Sequence, residues 1–353
     1  MGGRNVERVR IGLAGCGSVS RSYLPHLAAS EYADVVAVCD VDMSRAEQSA
    51  QQHGVPAAFD DMARMLDGAE FDLFLNTTAM PAHCELNRLA LTAGRHVYCE
   101  KPIATSYEDG RALVELAQTQ GVKLWGAPNV VLSPQFAYLR DLIHGGALGR
   151  VYAAHASYGH AGPTWGPWFY GKEGGSLFDL GVYNVTTLTG LLGPAQAVVA
   201  LSGTAVPERE VDGAMLRAEA DDNTMLLIDH GDAVFSHVQT GFVYRAQRGD
   251  RSVEFIGTEG AANLLGYDWG PTGVEVWDAA SGAWNTHCED ARDYCWQSGA
   301  AYVAECLIKG IEPMMTGAHA LHVLEVMTAA KASAADGARM SVESTFDLTA
   351  PPV

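Results

Sequence analysis

The sequence predicts an α/β chain of two domains: a doubly wound parallel sheet, then an α+β domain with a mostly antiparallel sheet. Three observations predict it. At 353 residues the chain is longer than one ordinary core organises. Its first 130 or so residues alternate short apolar runs with helical patterns, and continuously apolar strands suit a sheet covered on both faces. From Ala195 to about Val276 only short strand candidates appear, separated by Gly, Asp and Asn, a pattern of antiparallel sheets.

Taken in order, Val9 to Ala14, Val35 to Cys39, Phe71 to Leu75, His96 to Cys99 and Lys123 to Ala127 read as buried strands. Helical stretches lie between them, among them Pro81 to Ala93 and Ser106 to Gln120. The latter opens with Ser106 and, three residues on, Asp109, and Gly121 stops it. The rhythm changes after about Pro128, so the domains are placed at 1–128 and 129–353. A helix from Pro134 to His144 leads through Gly-Gly into a strand-like run, Arg150 to Tyr158. Two helices close the chain, Ala300 to Lys309 and Ala318 to Ala335, the second ended by Gly337; it is free to pack back on the first domain. Only the polar start, Met1 to Glu7, and the tail after Glu343 read as disordered.

Composition narrows the function. The chain is 48% hydrophobic and 18% charged, as folded globular proteins are. A net charge of −19 with only 23 Lys and Arg repels phosphate backbones and argues against nucleic acid. It leaves room for a dinucleotide, because local backbone N–H groups hold a pyrophosphate even in an acidic protein. No apolar run reaches membrane-spanning length and the start lacks an apolar leader core, so no membrane partner and a cytoplasmic location are expected. Seven cysteines without a CxxC pair read as buried free thiols.

The first strand ends in Gly15-Cys16-Gly17-Ser18-Val19-Ser20, then a helix. Two glycines let the backbone turn tightly against a pyrophosphate seated on the helix N-terminus, and Ser20 is small enough for helix–strand packing. Any tight βα turn can look like this. Context sharpens it: the second strand ends in Asp40, where a carboxylate meets an adenosine ribose and repels a 2′-phosphate. NAD is therefore expected as cofactor, with NADP disfavoured. Asp40 also fits a helix-start acid, a task Asp42 could share.

Three further motifs support a resemblance: Asn76-Thr77-Thr78-Ala79-Met80-Pro81-Ala82-His83, Glu100-Lys101-Pro102, and Gly174-Gly175-Ser176-Leu177-Phe178-Asp179-Leu180-Gly181-Val182-Tyr183-Asn184. With the glycine turn, the chain resembles the Gfo/Idh/MocA family of sugar and cyclitol oxidoreductases over nearly its whole length. The resemblance implies a Rossmann domain, then a domain with a large open-faced sheet whose other face often mediates oligomers, with the active site between them. A homodimer or homotetramer is expected on this ground. By position Lys101 matches the family's active-site lysine and Asp179 its acid. Tyr183 stands where many members carry histidine and a glucose–fructose-oxidoreductase-like subset carries tyrosine, and Thr186 where many carry aspartate. The implied cofactor contacts are Gly15, Gly17, Ser18, Val19, Asp40, Asn76, Thr77, Thr78, Pro81, His83, Glu100, Lys101 and Asn129.

Oxidising a secondary alcohol needs a base for the hydroxyl proton and a hydride path to nicotinamide. Tyrosine is a poor base near neutrality, but a neighbouring ammonium stabilises phenolate. The reading is Tyr183 as acid/base, Lys101 as electrostatic partner and Asp179 as orienter, with Lys101 itself the other proton carrier. The plainer readings are a core tyrosine, a solvated lysine and a helix cap. Trp165 and Trp168, in the loop Trp165-Gly166-Pro167-Trp168-Phe169-Tyr170, offer flat faces to a sugar or an aromatic aglycone, or cover the core, or form an oligomer contact. His160, with His155 on the other side of Tyr158, and Asn129 after the fifth strand complete the substrate candidates. His319 and His322, three apart on the last helix, lack a third ligand and read as surface histidines, so no metal is expected. Two other readings stay open: an NAD-loaded sensor without turnover, and a reductase like biliverdin reductase.

Overall fold

The computed structural model describes residues 7–246, 251–290 and 294–347. The chain divides into two compact units, which among the described residues comprise 7–129 with 297–320, and 130–296 with 321–347. The expected disorder of Met1 to Val6 lies outside the described residues.

The first unit runs β1 (Val9–Ala14), α1 (Ser20–Ala29), β2 (Ala33–Cys39), α2 (Met43–His53), β3 (Ala57–Phe59), α3 (Met62–Gly68), β4 (Leu73–Asn76), α4 (His83–Thr92), β5 (His96–Cys99), α5 (Tyr107–Gln120) and β6 (Leu124–Gly126). All pairings are parallel, in the order β3-β2-β1-β4-β5-β6. The order reverses at β1/β4, the place where doubly wound sheets open a crevice at their carboxyl ends. The central strands are buried on both faces: Ile11, Leu13, Leu73, Phe74, Leu75 and Val97 have no exposed surface. The caps follow the sequence signals. Ser106 accepts the Asp109 N–H at 3.2 Å, and Gly121 ends α5 in the left-handed region.

The second unit holds α6 (Pro134–His144), β7 (Val151–Gly159), α7 (Val182–Leu192), β8 (Ala197–Gly203), β9 (Glu208–Val211), β10 (Ala214–Arg217), β11 (Asn223–Asp229), β12 (Phe235–Gly241), β13 (Arg251–Gly257), β14 (Ala261–Tyr267), β15 (Gly270–Asp278) and β16 (Ala283–His287). The chain then returns to the first unit with α8 (Gly299–Lys309), which packs on α1, β1 and β2, before α9 (Gly317–Asp336) and the short β17 (Met340–Ser341). Nine strands form one sheet, β16-β15-β14-β13-β7-β12-β11-β8-β17, antiparallel except for β7 with β12. Its strands alternate: Thr224, Leu226 and Ile228 are buried while Met225 and Leu227 are exposed. One face is covered by the apolar helix α7, buried from Val182 to Leu191. Among the described residues the other face is open, with Val199, Leu201, Met225, Leu227 and Phe235 exposed.

Two expectations are corrected. The tail after Glu343 is placed as far as Asp347, because buried Glu325 accepts the N–H groups of Glu343 and Ser344 at 2.8 and 2.7 Å and Phe346 packs on the His322 ring; residues 348–353 lie outside the described ones. His319 and His322 are buried, not surface, residues. His322 accepts the Ala195 N–H at 2.9 Å through Nε2 and donates from Nδ1 to the Ser344 carbonyl at 3.0 Å. Among the described residues no helix is long and apolar enough to cross a membrane, and no group of three His, Cys, Asp or Glu could hold a metal.

Candidate active site

In the first unit the predicted cofactor residues follow the carboxyl ends of β1, β2, β4, β5 and β6. Gly15 has φ +93°, and a Cβ there would lie 2.6 Å from the Thr77 backbone. The segments leaving the paired strands β1 and β4 approach more closely than any side chain permits. Thr77 locks this approach, its N–H donating to Ala14 O at 2.9 Å and its hydroxyl reaching Gly15 O at 2.8 Å. At Gly17 a Cβ would meet nothing within 4 Å, so the turn has open space where a pyrophosphate would lie. Ser18 is exposed and Val19 precedes α1. Ser20 is fully buried, with its hydroxyl on Gly17 O at 2.8 Å.

Asp40 accepts the Cys16 N–H at 2.8 Å and the Asp42 N–H at 2.9 Å, tying the end of β2 to the glycine turn. Asp42, not Asp40, caps α2. Burial and the Asp40 charge push the Cys16 thiol up to about 11, so it stays protonated. All seven cysteines are free.

The segments after β4 and β5 are bound into one network. Buried Asn76 donates to Asn87 Oδ1 at 2.9 Å and accepts the Thr78 hydroxyl at 2.7 Å, and Asn87 donates to Ile103 O at 3.1 Å. Pro81 starts the 3-10 turn that leads into α4. His83, 1% exposed, has Nδ1 2.7 Å from Pro102 O and Nε2 3.0 Å from Thr78 O. Glu100 accepts the Tyr23 hydroxyl at 2.6 Å and the Lys101 N–H at 3.1 Å. Lys101 follows it, half-buried, before Pro102. Asn129, fully buried, donates to Ser298 Oγ at 3.3 Å.

In the second unit the Gly-Gly motif has a steric cause. Gly175 has φ +110°, and a Cβ there would sit 2.1 Å from Asp221 Oδ1. Asp221 holds the following turn by accepting the Ser176 hydroxyl at 2.7 Å and the Leu177 N–H at 3.0 Å. Lys331 donates to Gly174 O at 3.1 Å and sits 3.8 Å from the centre of the Phe178 ring; burial lowers its pKa. The loop is thus clamped between the buried Asp221 and the half-buried Lys331. It presents Asp179 on a π-turn, Leu177–Gly181, a geometry frequent at functional sites. Asp179 does not cap α7, whose cap residue is Gly181.

Tyr183, 8% exposed, opens α7 and meets the Tyr158 ring edge-on at 6.2 Å. Around Tyr158 stand His160 at 6.2 Å, Tyr267 at 5.0 Å and Trp269 at 6.2 Å, with Tyr267 and Trp269 stacked at 5° and Trp296 beside Trp269. His160 stacks on Phe242 and accepts the Gly162 N–H at 2.9 Å. Trp165 is 46% exposed and meets Phe169 edge-on, while Trp168 stacks on Phe169. Sequence reasoning missed Tyr267, Trp269 and Trp296. The one signal was Gly266-Tyr267-Asp268-Trp269-Gly270, two aromatics in a glycine-flanked turn.

Comparison with known proteins agrees with this layout. Residues 9–127 match the oxidoreductase family with an NAD-binding Rossmann fold, and residues 136–263 match the GFO/IDH/MocA C-terminal domain. The chain is 31% identical to the dTDP-3,4-didehydro-2,6-dideoxy-alpha-D-glucose 3-reductase of Streptomyces violaceoruber over 264 residues, 73% of each protein. It is 27% identical to the D-apiose dehydrogenase of Paraburkholderia graminis, over 99% of this chain and 93% of that one. Its fold matches levoglucosan dehydrogenase in complex with NADH, with a TM-score of 0.84 at 20% identity, covering 96% of this chain and all of the other. The glycine turn, the acid after β2 and the matches to both domains lead to one assignment: the chain is an NAD-dependent oxidoreductase of the Gfo/Idh/MocA family.

Proposed function

We propose that the enzyme moves hydride between NAD and a secondary hydroxyl, or its ketone, of a pyranose, glycoside or cyclitol. The observation that carries this is Tyr183, set at the start of α7 one turn after Asp179 and edge-on to Tyr158, itself the centre of an aromatic cluster. Rings such as Trp269 suit the C–H faces of a sugar. Relatives that act on D-apiose and on a dTDP-linked deoxysugar support the substrate class.

NAD, when bound, supplies the hydride acceptor. Gly15, Gly17, Ser18 and Val19 would seat its pyrophosphate, Asp40 its ribose, and Asn76, Thr77, Thr78, Pro81, Glu100, Lys101 and Asn129 its nicotinamide half. His83 supports that surface from behind. Tyr183 takes the hydroxyl proton, the Lys101 ammonium favours the phenolate, and Asp179 orients them. His160, Asn129, Trp165 and Trp168 hold the substrate. The exposed apolar face of the nine-stranded sheet supports a homodimer or homotetramer, and a cytoplasmic location suits an enzyme with free thiols.

The test is NADH absorbance on mixing the protein and NAD with a panel of pyranoses, glycosides and cyclitols, with NADP as control. Turnover is expected with NAD, falling about 10²-fold or more in both Lys101→Ala and Tyr183→Phe. Near-normal turnover in Tyr183→Phe would pass the proton role to Lys101. NAD binding with no turnover on any substrate would favour the sensor.

A further inference from the structure

We propose that His83 is a doubly protonated imidazolium that braces the loop after β4 to the segment carrying Lys101, and so acts as a positioning residue. Its ring lies between two backbone carbonyls, Pro102 O at 2.7 Å from Nδ1 and Thr78 O at 3.0 Å from Nε2. Carbonyl oxygens only accept. A neutral imidazole carries one N–H, so either tautomer sets a bare nitrogen lone pair against an oxygen lone pair at hydrogen-bond distance. Only the imidazolium satisfies both contacts, and hydrogen bonds from a charged donor are the stronger kind.

The surroundings weigh on both sides. Burial disfavours the charge and lowers the pKa; the Lys101 ammonium and the N-terminal position on α4 add to that. The two carbonyl bonds and the Glu100 side chain favour it. Glu100 is itself held, with one oxygen on the Tyr23 hydroxyl and the other on the Lys101 N–H. Asn76 and Asn87, the other polar groups of the network, are neutral. The contact lengths decide for the charged ring: burial raises the free energy of the charge, but two charge-assisted bonds to carbonyls offset that cost, whereas a missing proton leaves two buried lone pairs facing each other at one of the short contacts.

The position gives the charge a use. Thr78 O lies two residues beyond β4, and Pro102 O directly follows Lys101. Asn87, through Ile103 O and Asn76, ties the same two segments one turn further along α4. Loss of the His83 proton therefore leaves the fold connected and releases one of the two carbonyls that the ring holds, Thr78 O or Pro102 O. The catalytic consequence rests on the reading of Lys101 given above; the protonation state does not.

The experiment is nitrogen NMR of the intact enzyme labelled at its 12 histidines, with the His83 signals assigned by their disappearance in His83→Gln. Both ring nitrogens are expected in the protonated range at pH 7. One nitrogen in the deprotonated range would overturn the proposal. Neutron diffraction of the wild type is the second measurement, should His83→Gln not fold. Nuclear density for hydrogen on both nitrogens supports the brace, and on one alone overturns it. For positioning, kcat of the wild type is expected to fall about tenfold on the alkaline side with the midpoint read by NMR, and His83→Gln to lack that limb. A limb unchanged in the variant would overturn the positioning role while leaving the Lys101 chemistry standing.

Discussion

A methyl group added at Gly15 would lie 2.6 Å from the Thr77 backbone, with the residue held at φ +93°, whereas one added at Gly17 would touch nothing within 4 Å. The two glycines therefore serve different ends of the same turn. Gly15 lets the segments leaving β1 and β4 pack in contact, a requirement of the fold; Gly17 keeps open the space where a pyrophosphate would lie. Gly15→Ala is expected to destabilise the protein by about 1–3 kcal/mol through backbone strain and to weaken NAD binding. Gly17→Ala is expected to leave the melting temperature unchanged and weaken NAD binding alone. Thermal melts with and without NAD separate the two. A Gly17→Ala protein that melts early and binds NAD normally would refute the division.

At the scale of elements, α9 is fastened to the β8 side of its sheet and to the chain's last described segment through His322. The ring accepts from Ala195 and donates to Ser344, a neutral tautomer with no place for a second proton. Burial brings its pKa down to about 4. Because the folded value lies below the unfolded one of about 6.5, the unfolded chain takes up the proton first as pH falls. The stabilisation is complete above about pH 6.5 and is lost progressively toward pH 4, roughly 3 kcal/mol in all. Urea unfolding at pH 7 and pH 4.5 should show this loss in the wild type, reduced in His322→Gln; equal slopes in the two proteins would refute it. The same histidine shows where sequence reading stops. Spacing of three on an apolar helix told that His319 and His322 share a face, but not that the face is covered by Ser344 and Phe346, contacts that arise only once the tail folds back. The strands of the first unit were legible because continuous apolar runs leave one arrangement, and Ser106 and Gly121 because caps are local. The aromatic wall was not, since Tyr158, Tyr183, Tyr267 and Trp296 come from four separate stretches of chain that only the second unit's sheet and α7 bring together. Three-residue β3 was too short to carry a pattern.

On the whole molecule, the feature that still needs a partner is the open face of the nine-stranded sheet. Leu201 is 76% exposed and its cross-strand neighbour Met225 42%; Leu227 and Val199, also paired, are 55% and 43% exposed, and Phe235 follows on β12. A contiguous apolar stripe of this kind on a folded sheet marks an interaction surface, and a second copy supplies the same stripe in a self-complementary way. Charge opposes that pairing. Each chain carries −19, so two copies repel one another at low ionic strength, and salt shortens the range of that repulsion to about 8 Å at physiological strength. Association is therefore expected to strengthen with salt, the reverse of a complex held by ion pairs. Light scattering should give a dimeric or tetrameric mass at about 0.15 M salt, shifting toward monomer as salt is removed. Leu201→Asp should shift it further, because a carboxylate on this face must be desolvated to pair, while leaving the monomer's fold intact at so exposed a position. A monomeric wild type at working concentration, or an assembly unmoved by Leu201→Asp, would place the stripe outside any interface between copies.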